Sequence, residues 1–407
     1  MNKEVIFERI NLAVDNMIRG QIINRVDANS GRTLRDYNAR TGLKGYSGNW
    51  CTGIFMACLI AMYKRTGKAE YLERAEYAAH YIMSLQYLDS RDMRHYGMFR
   101  ETTPQSIECL PRDATTAAWC LVWLYEATGK AEYLDRAVLF ANWHLKYAMS
   151  GNWPMWAVMM DKDNTNFYNK GSFQSGTGLF YHDLFLFTND PRYIDQGLKP
   201  IADLYIENFF YEDGGIIREI GVFNNKEVIR ERKDVVELDM HAFNDDFGNQ
   251  MLMAASDIFE DDKYRDQARK FCHWLVRHQQ EDGNFFNGVK YVTSAVPIAL
   301  MYFDELGRYY NDEVLLNAAE RTFNKLLDMQ ILDSDDPLLQ GAFEGMPYTA
   351  EDNPKTCTQI RTNAYAVMAL FKLEGKIKNF WLGGEHNRKF IDPIFIYDKN
   401  NPYPFTY

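Results

Sequence analysis

Hydrophobic residues recur along this chain at helical spacing in twelve segments. Alternate segments differ in kind. Segments such as 51–63 and 114–125 are apolar on nearly every side, whereas 69–86 carries a charged face. A helix that is apolar all round is buried, and one with a polar stripe lies outside. The predicted helices are 3–19, 50–65, 69–86, 113–127, 131–147, 172–187, 192–209, 239–258, 262–279, 289–308, 312–329 and 356–374.

A short motif repeats between the members of each helix pair. The sequence Thr-Gly-Lys-Ala-Glu-Tyr-Leu occurs at 66–72 and again at 128–134, and degenerate copies follow near 188–195, 260–266 and 311–316. The Gly or Asn in each copy is typical of a left-handed residue that ends a helix, and a polar residue then starts the next. Each copy therefore predicts the tight bend of a helical hairpin.

The loops that lead from outer to inner helices are long, unlike these bends. All six precede the N-terminal end of an inner helix, so they are expected on one face of a closed ring, and long loops in compact domains are usually functional. We therefore predict an (α/α)6 toroid, all-α, with a cleft on that face. The chain is expected to form one domain over 1–407, with a β-hairpin inserted at 211–237 and an extended tail at 376–407. The hairpin strands are predicted at 216–220 and 227–231, around Asn224 and Asn225.

Composition narrows the function classes. The net charge of -11 argues against a nucleic-acid partner, which needs a basic surface. No run approaches about 18 uninterrupted apolar residues, so no membrane partner is expected. The six cysteines include no CxxC pair and no regular spacing, and Cys51, Cys58, Cys120 and Cys272, which lie in apolar helical segments, are expected to be reduced core residues. We expect a cytoplasmic protein, or a periplasmic or secreted one if an export signal has been removed.

The first candidate site is the start of the second inner helix, Pro111-Arg112-Asp113. Asp113 could cap the helix. Alternatively, it could be a general acid or base whose pKa is raised by burial in an aromatic cleft.

The second candidate site is the start of the fourth inner helix. Its first turns contain more polar groups than capping requires: Glu237, Asp239, His241, Asn244, Asp245 and Asp246. Adjacent carboxylates repel one another, so at least one of them is expected to be protonated or paired with a base. A single histidine among carboxylates is weak evidence for zinc, and we predict neither a metal nor a cofactor.

The third candidate site combines a loop with the start of the last inner helix. Glu344 lies in a glycine-bounded loop and is either a catalytic carboxyl or a solvated loop residue. Arg361 lies at the start of an inner helix and needs an anion, which is either a structural carboxylate or a substrate carboxylate.

Aromatic and basic residues complete the predicted cleft. Aromatic side chains there would stack on sugar rings, or would simply hold the loops against the core, and the cations would suit an acidic sugar. The predicted substrate-binding residues are Asn49, Trp50, Arg112, Trp153, Trp156, Glu237, Asp239, Lys290, Tyr291 and Arg361.

With its hairpin repeats and the stretch from Gly341-Ala-Phe to Arg361-Thr-Asn-Ala-Tyr365, the chain resembles the six-hairpin glycosidase superfamily. The resemblance is nearest to the unsaturated uronyl hydrolases and related glucuronidases of bacteria that digest polysaccharides. It implies a carbohydrate-active enzyme with its pocket at the mouth of the toroid. It also implies that Asp113 is similar in position to a catalytic aspartate, with Asp245 or Asp246 as its partner.

The leading hypothesis is hydrolysis that releases a terminal uronic acid from an oligosaccharide, with catalytic roles for Asp113, Asp245, Asp246, Glu344 and His241. One alternative is a lyase or epimerase in which His241 or Tyr291 is the base and Arg361 stabilises the enolate. Another is a glycan-binding protein without catalysis. A terpene cyclase is the weakest alternative, since Asn244-Asp245-Asp246 only thinly matches a magnesium motif. The extended C-terminal tail could wrap around the barrel or around a neighbouring subunit, so a homo-oligomer is a further possibility.

Overall fold

The computed structural model describes residues 3–24, 26–46, 48–223, 226–229, 240–346 and 353–376. Glu237, Asp239, the tip of the predicted hairpin and nearly all of the tail therefore lie outside the described residues. The helices are α1 (Lys3–Arg19), α2 (Asn49–Thr66), α3 (Ala69–Ser84), α4 (Pro111–Thr128), α5 (Ala131–Tyr147), α6 (Thr177–Thr188), α7 (Lys199–Asn208), α8 (His241–Asn244), α9 (Gly248–Phe259), α10 (Asp262–His278), α11 (Ala295–Tyr310), α12 (Glu313–Asp328) and α13 (Ile360–Glu374).

The predicted (α/α)6 toroid is confirmed. Helices α2, α4, α6, α9, α11 and α13 are buried along most of their length and form the inner ring. Helices α1, α3, α5, α7, α10 and α12 expose one face and form the outer ring. Their buried hydrophobic side chains join in one cluster that runs through both rings. None of the described helices is both long and apolar enough to cross a membrane.

The predicted hairpin bends are present. Gly67 and Gly129 end their helices with φ of 71° and 69°, and Asn189 and Asn311 do so at 54° and 51°. The fourth bend differs, because Glu260 takes the left-handed position at φ 52°. Each of these bends thus requires a left-handed residue at the end of its first helix, and glycine adopts that conformation with the least strain.

A second repeat, which the sequence analysis did not detect, links neighbouring hairpins. Just after α1, α3, α10 and α12, a glutamine amide donates to the carbonyl of a loop glycine and to a carbonyl of the next outer helix. Gln330 does this with Gly341 and Arg9, both at 2.9 Å, and so joins the last outer helix to the first. The other three glutamines and their acceptor pairs are Gln21 with Gly31 and Arg74, Gln86 with Gly97 and Arg136, and Gln279 with Gly283 and Ala318.

The long loops carry short strands that join one loop to another. The strands are β1 (Leu34–Asn38), β2 (Leu43–Tyr46), β3 (Glu108–Cys109), β4 (Met149–Ser150), β5 (Trp153–Pro154), β6 (Ala157–Met159), β7 (Asn166–Phe167), β8 (Lys170–Gly171), β9 (Glu219–Phe223), β10 (Lys226–Ile229) and β11 (Cys357–Gln359). Strand β1 pairs antiparallel with β11, with Tyr37 opposite Thr358, and so joins the first long loop to the last. Strand β3 pairs with β6, and β8 with β9.

The strands of the inserted hairpin begin and end at other residues than predicted. Its strands are β9 and β10, with Phe223 opposite Lys226, so the first strand begins three residues later than predicted. The reason is that Ile216 pairs with Phe210 in the preceding turn, where Ile216 and Ile217 are buried. The hydrophobic residues that suggested the strand are used to close the loop instead.

Candidate active site

A cavity of about 360 Å³ opens where the long loops meet the N-terminal ends of the inner helices. Its wall includes Trp50 from α2, Asp113 from α4 and Arg361 from α13. Strands β1 and β11 contribute Asp36 and Gln359. The cavity therefore lies on the predicted face and includes three of the predicted site residues.

A larger depression of about 770 Å³ lies over the C-terminal halves of α11 and α13. Four of its charged side chains are already paired with each other: Arg308 with Asp304, and Lys372 with Glu305. We assign the site to the smaller cavity because Asp113, a carboxyl of raised pKa, and the partly exposed guanidinium of Arg361 line the same wall there.

Asp113 is partly buried in the first turn of α4. The N-cap of this helix is Leu110 and no side chain caps it, so the alternative that Asp113 is the capping residue is wrong. Burial and the nearby charge of Asp246 raise the pKa of Asp113 to about 6, although Arg112 and Arg361 act in the opposite direction. Asp113 is thus a carboxyl that exchanges its proton near neutral pH.

Asp246 is held by an unusual backbone. Asp245, Asp246 and Phe247 have φ of 38°, 51° and 74°, three consecutive left-handed residues that are not glycine. Each such residue costs on the order of 1 kcal/mol, and strain of this kind concentrates at functional sites. The turn lies between α8 and α9 and interrupts the predicted helix 239–258.

The Asp246 carboxyl is surrounded by donors. Arg361 Nη1 approaches Oδ1 at 3.3 Å and Arg112 Nη2 approaches Oδ2 at 3.4 Å, and the Tyr365 hydroxyl donates to Oδ1. Burial alone would raise the pKa of Asp246, but Arg112, Arg361, His241 and the Tyr365 hydrogen bond outweigh it and lower the pKa. Asp246 therefore remains ionised where Asp113 can hold a proton.

Arg112 supports this turn. It is 2% exposed, and its Nε donates to the Phe173 carbonyl at 3.0 Å while Nη2 donates to the Asp246 carbonyl at 3.0 Å. Nη1 donates to Thr116. A Cβ on Gly176 would approach Arg112 Nη2 to 2.6 Å, so this glycine leaves room for the guanidinium. With its donors occupied in this way, Arg112 holds the site together, which corrects the expectation that it binds substrate.

Asp245 points away from the cavity. It is fully buried, with Oδ2 accepting from the backbone and side-chain amides of Asn249 and Oδ1 accepting from the Tyr302 hydroxyl at 2.7 Å. Burial raises its pKa to about 7, against the effect of these donors and together with the Asp246 charge. The structure thus separates the two adjacent aspartates, and Asp245 binds the start of α9 instead of facing a substrate.

Arg361 and Trp50 line the cavity together with Asp113. The guanidinium carbon lies 4.5 Å from the centre of the Trp50 ring, in the range of a cation–π contact. The side chain of Arg361 is 23% exposed. It is therefore fixed in direction but still accessible from the cavity.

The two tryptophans of the third loop have different positions. Trp153 is fully buried, stacked on Phe209 with ring centres 4.5 Å apart, so the expectation that it binds sugar is wrong. Trp156 is partly exposed and meets Phe173 edge-on at 5.0 Å. Phe173 in turn lies 4.8 Å from His241, so Trp156, Phe173 and His241 form an aromatic row that ends next to Met240, a residue of the cavity wall.

Four other predicted residues lie elsewhere. Asn49 is fully buried and donates to the Arg100 carbonyl at 3.1 Å, so it does not face substrate. Lys290 and Tyr291 belong to the fifth loop, and Tyr291 packs on Phe286; neither lines the cavity. Glu344 does not line it either, and the charges that act on it come from α12 and from Lys355.

Glu101 is a site residue that the sequence analysis missed. It lies in the second long loop and is 6% exposed, and its carboxyl accepts from the Asn49 amide at 3.4 Å. Burial and the nearby Asp113 charge raise the pKa of Glu101. The sequence around it, Phe99-Arg100-Glu101-Thr102, has no feature that distinguishes it from a solvated loop. In the described part of the chain, no three His, Cys, Asp or Glu side chains converge as a potential metal site.

Comparison with known proteins agrees with this architecture. No protein-family model matches the chain, and no curated protein matches it significantly. Among solved structures, a cellobiose 2-epimerase from Bacillus thermoamylovorans superposes with a TM-score of 0.71 at 13% identity, covering 91% of this chain and 99% of that one. This chain therefore has the same (α/α)6 toroid fold as that enzyme.

Two other solved structures represent glycoside hydrolases. An unsaturated glucuronyl hydrolase specific for heparin gives a TM-score of 0.64 at 14% identity, covering 91% of this chain and 96% of that one. An α-1,6-mannanase of Salegentibacter sp. gives 0.59 at 14% identity, covering 90% and 98%. At these identities the likeness establishes the fold, and the chemistry must be argued from the site.

Proposed function

We propose that this protein is a glycoside hydrolase that releases a terminal uronic acid from an oligosaccharide. The observation that carries the proposal is the joint placement of Asp113 and Arg361 in the wall of one cavity. Asp113 supplies a proton near neutral pH, and Arg361 supplies a fixed, accessible positive charge. An acidic sugar needs both.

The two carboxyls have complementary roles. Asp113, with its pKa at about 6, is the general acid that protonates the glycosidic oxygen as the bond to the anomeric carbon breaks. Asp246, whose pKa is lowered, stays ionised beside Arg361, and its negative charge helps to keep the pKa of Asp113 high enough for a general acid. Water adds to the anomeric carbon, and its proton passes to a carboxylate of the site. Environments that push two carboxyl pKa values apart are the usual basis of such acid and base assignments.

Recognition of the uronic acid is assigned to Arg361. One of its terminal nitrogens lies 3.3 Å from Asp246 Oδ1, which leaves other donors of the guanidinium for a substrate carboxylate. The Trp50 ring behind it keeps the guanidinium plane in place. A neutral sugar would leave this charge without a new partner, so the site favours an acidic one.

The structural neighbours are consistent with this proposal. One of them is an unsaturated glucuronyl hydrolase. In the α-1,6-mannanase, replacement of two consecutive aspartates gives an inactive variant, and this chain also carries consecutive aspartates, Asp245 and Asp246. Here the two have different partners, and we assign to Asp246 a role in holding Arg361 and raising the pKa of Asp113, which Asp245 does not share.

The alternative on the same scaffold is epimerisation or elimination. His241 keeps this alternative open because it lies in the aromatic row and its charge acts on Asp246. Tyr291, the other proposed base, is 44% exposed and does not line the cavity.

The test is turnover of two substrates, an aryl uronide and an oligosaccharide ending in an unsaturated uronic acid, by wild type, Asp113→Asn and Asp246→Asn. We expect hydrolysis of at least one substrate by the wild type and a loss of about 100-fold or more in each variant. The matched control is Asp135→Asn. The pKa of Asp135 is also raised to about 6 by burial, but it lies on the outer helix α5. Full turnover in Asp113→Asn, or a new double bond or epimer in place of a hydrolysed product, would contradict the proposal.

A further inference from the structure

The wall of the cavity contains two carboxyl groups among the described residues, those of Asp36 and Asp113. Most glycosidases use a pair of carboxyl groups on either side of the bond that breaks. Asp113 is the proposed acid, so the attacking water needs another carboxylate. Asp246 does not line the cavity, and its oxygens are held by two arginines and a tyrosine hydroxyl. Asp36 is therefore the cavity carboxyl that remains for the water.

The side chain of Asp36 lies on the face of a small sheet that borders the cavity. Strand β1 is the middle strand of the sheet β11-β1-β2, and Asp36 lies opposite Gln359 of β11 and Gly45 of β2. Residues directly opposite each other in an antiparallel pair have their side chains on the same face. Gln359 lines the cavity, and its amide donates at 3.3 Å to the carbonyl of Met346, another residue of the wall. Asp36 and Gln359 thus present their side chains to the same cavity.

The opposite face of this sheet holds the strand in place. Tyr37, the next residue of β1, donates from its hydroxyl to Asp336 at 2.6 Å and packs with Ile331 and Leu339 in a separate hydrophobic cluster. Successive residues of a strand point to opposite faces. The contacts of Tyr37 on one face therefore fix the direction of Asp36 on the other.

The neighbours of the Asp36 carboxyl suit a base. A Cβ on Gly45 would lie 2.3 Å from Oδ2 and 2.5 Å from Oδ1, so only glycine at this position leaves the carboxyl where it is. The Nε of Arg35 donates to Oδ1, and a guanidinium partner favours the ionised form that can accept a proton. Asp36 is only 3% exposed, so a water molecule beside it would be sheltered from bulk solvent.

We propose that Asp36 is the general base of the hydrolysis, the carboxylate that takes a proton from the attacking water. The proposal rests on the function proposed above, in which Asp113 is the acid. A bond forms between the water oxygen and the anomeric carbon, one O–H bond of the water breaks, and its proton passes to Asp36. The bond to the leaving oxygen breaks with its electron pair, and that oxygen takes the proton of Asp113. Passage of one proton through solvent from Asp36 to Asp113 then restores both groups.

The first experiment compares Asp36→Asn with the matched control Tyr37→Phe on whichever of the two substrates named above the wild type hydrolyses. Asparagine has nearly the same shape as aspartate but cannot act as a base, so kcat should fall about 100-fold or more. Tyr37→Phe removes the hydrogen bond to Asp336 on the other face of the same strand, and it should keep the turnover of the wild type. Equal turnover of the two variants would overturn the proposal.

The second experiment distinguishes a base from a residue that only holds the strand. Azide is a small anion that adds to the anomeric carbon without losing a proton, so it needs no base. Sodium azide should raise the turnover of Asp36→Ala several-fold and give a glycosyl azide, identified by mass spectrometry, and it should not accelerate the wild type. Loss of turnover in Asp36→Ala that azide does not restore means that Asp36 has only a structural role.

Gly45→Ala tests the same role with Asp36 still present, and so does not depend on the folding of variants at position 36. The added Cβ displaces the carboxyl, and a misplacement of about 1 Å in a site can cost on the order of 100-fold in rate. We expect kcat to fall while the thermal midpoint changes little, because the carboxyl is the movable end of its side chain. An unchanged kcat would show that Asp36 is not the base. Absence of turnover in the wild type would instead refute the proposed function, and the role of Asp36 with it.

Discussion

The guanidinium of Arg361 lies 4.5 Å from the centre of the Trp50 ring. Arg361 belongs to the last inner helix and Trp50 to the first, so their contact spans the seam where the ring closes. The same seam is joined by β1 and β11. The positive charge of the cavity is thus held in place by the closure of the toroid itself.

Arg361→Lys should weaken substrate binding more than it slows the chemistry. Lysine keeps the charge beside Asp246 but loses the planar fork that binds a carboxylate and stacks on Trp50. We expect KM for an acidic sugar substrate to rise about tenfold, equivalent to roughly 1.4 kcal/mol, with a smaller change in kcat. Steady-state kinetics on a uronide and on the matching neutral glycoside measure this difference.

The control for this substitution is Arg308→Lys, an exposed arginine paired with Asp304 in the other depression. Arg308→Lys should leave both KM and kcat unchanged. An equal effect of Arg361→Lys on acidic and neutral sugars would show that Arg361 does not recognise a substrate carboxylate.

Asp245→Asn should change the pH dependence of stability. The pKa of Asp245 is raised from 3.8 to about 7 in the folded protein. The stability that its protonated carboxyl contributes is therefore fully present at a pH below the pKa of the unfolded chain. It is lost as pH rises through the folded value. We expect the stability advantage of the wild type over Asp245→Asn to be greatest in acid and to narrow as pH approaches about 7. Urea unfolding at a series of pH values measures this.

The same variant separates a structural from a catalytic role. Since Asp245 is fully buried and bound to Asn249 and Tyr302, folded Asp245→Asn should keep far more turnover than Asp113→Asn. A loss of turnover as large as that of Asp113→Asn would return Asp245 to the catalytic set.

Trp153→Ala should lower the stability of the protein, whereas Trp156→Ala should weaken its binding of a long substrate. Trp153 is a buried core residue, and its truncation should cost about 3–5 kcal/mol of unfolding free energy. Trp156 lies at the partly exposed end of the aromatic row, so its truncation should raise KM for a long oligosaccharide and change stability by less than about 1 kcal/mol. Calorimetry and kinetics on short and long substrates distinguish the two. An unaltered KM in Trp156→Ala would remove it from the substrate path.

The sequence was sufficient for the fold because its signals are local. The period of the hydrophobic residues and the left-handed ends at Gly67 and Gly129 depend only on neighbouring positions. Asp113 was also accessible to this reasoning, since a charged residue at the start of a buried helix stands out. By contrast, Trp153 and Trp156 differ by three positions in one loop. Which of them is buried depends on how that loop turns over α7.

The remaining site residues depend on contacts between distant parts of the chain. The sequence left open whether Asp245 or Asp246 is the partner of Asp113, because it does not reveal the three left-handed residues that direct the two side chains to different partners. Arg112 lies beside Asp113 in the sequence, yet its donors are used by Phe173 and Asp246. Glu101 contacts Asn49, a residue of an inner helix 52 positions away, through a loop whose path has no sequence signal.

Gln330→Ala should destabilise the ring at its closure. The side chain donates to Arg9 and Gly341 and its oxygen accepts from Arg9 Nη1 at 3.3 Å, so truncation leaves backbone carbonyls and a guanidinium without this partner. Gln330 is 4% exposed, and water cannot easily replace it. We expect a loss of about 1–3 kcal/mol in urea unfolding.

Gln86→Ala, which removes the same link between α3 and α5, should cost a similar amount. Gln105→Ala, at an exposed loop position, should cost little. If Gln330→Ala unfolds at the same urea concentration as Gln105→Ala, the repeated glutamine does not hold adjacent hairpins together.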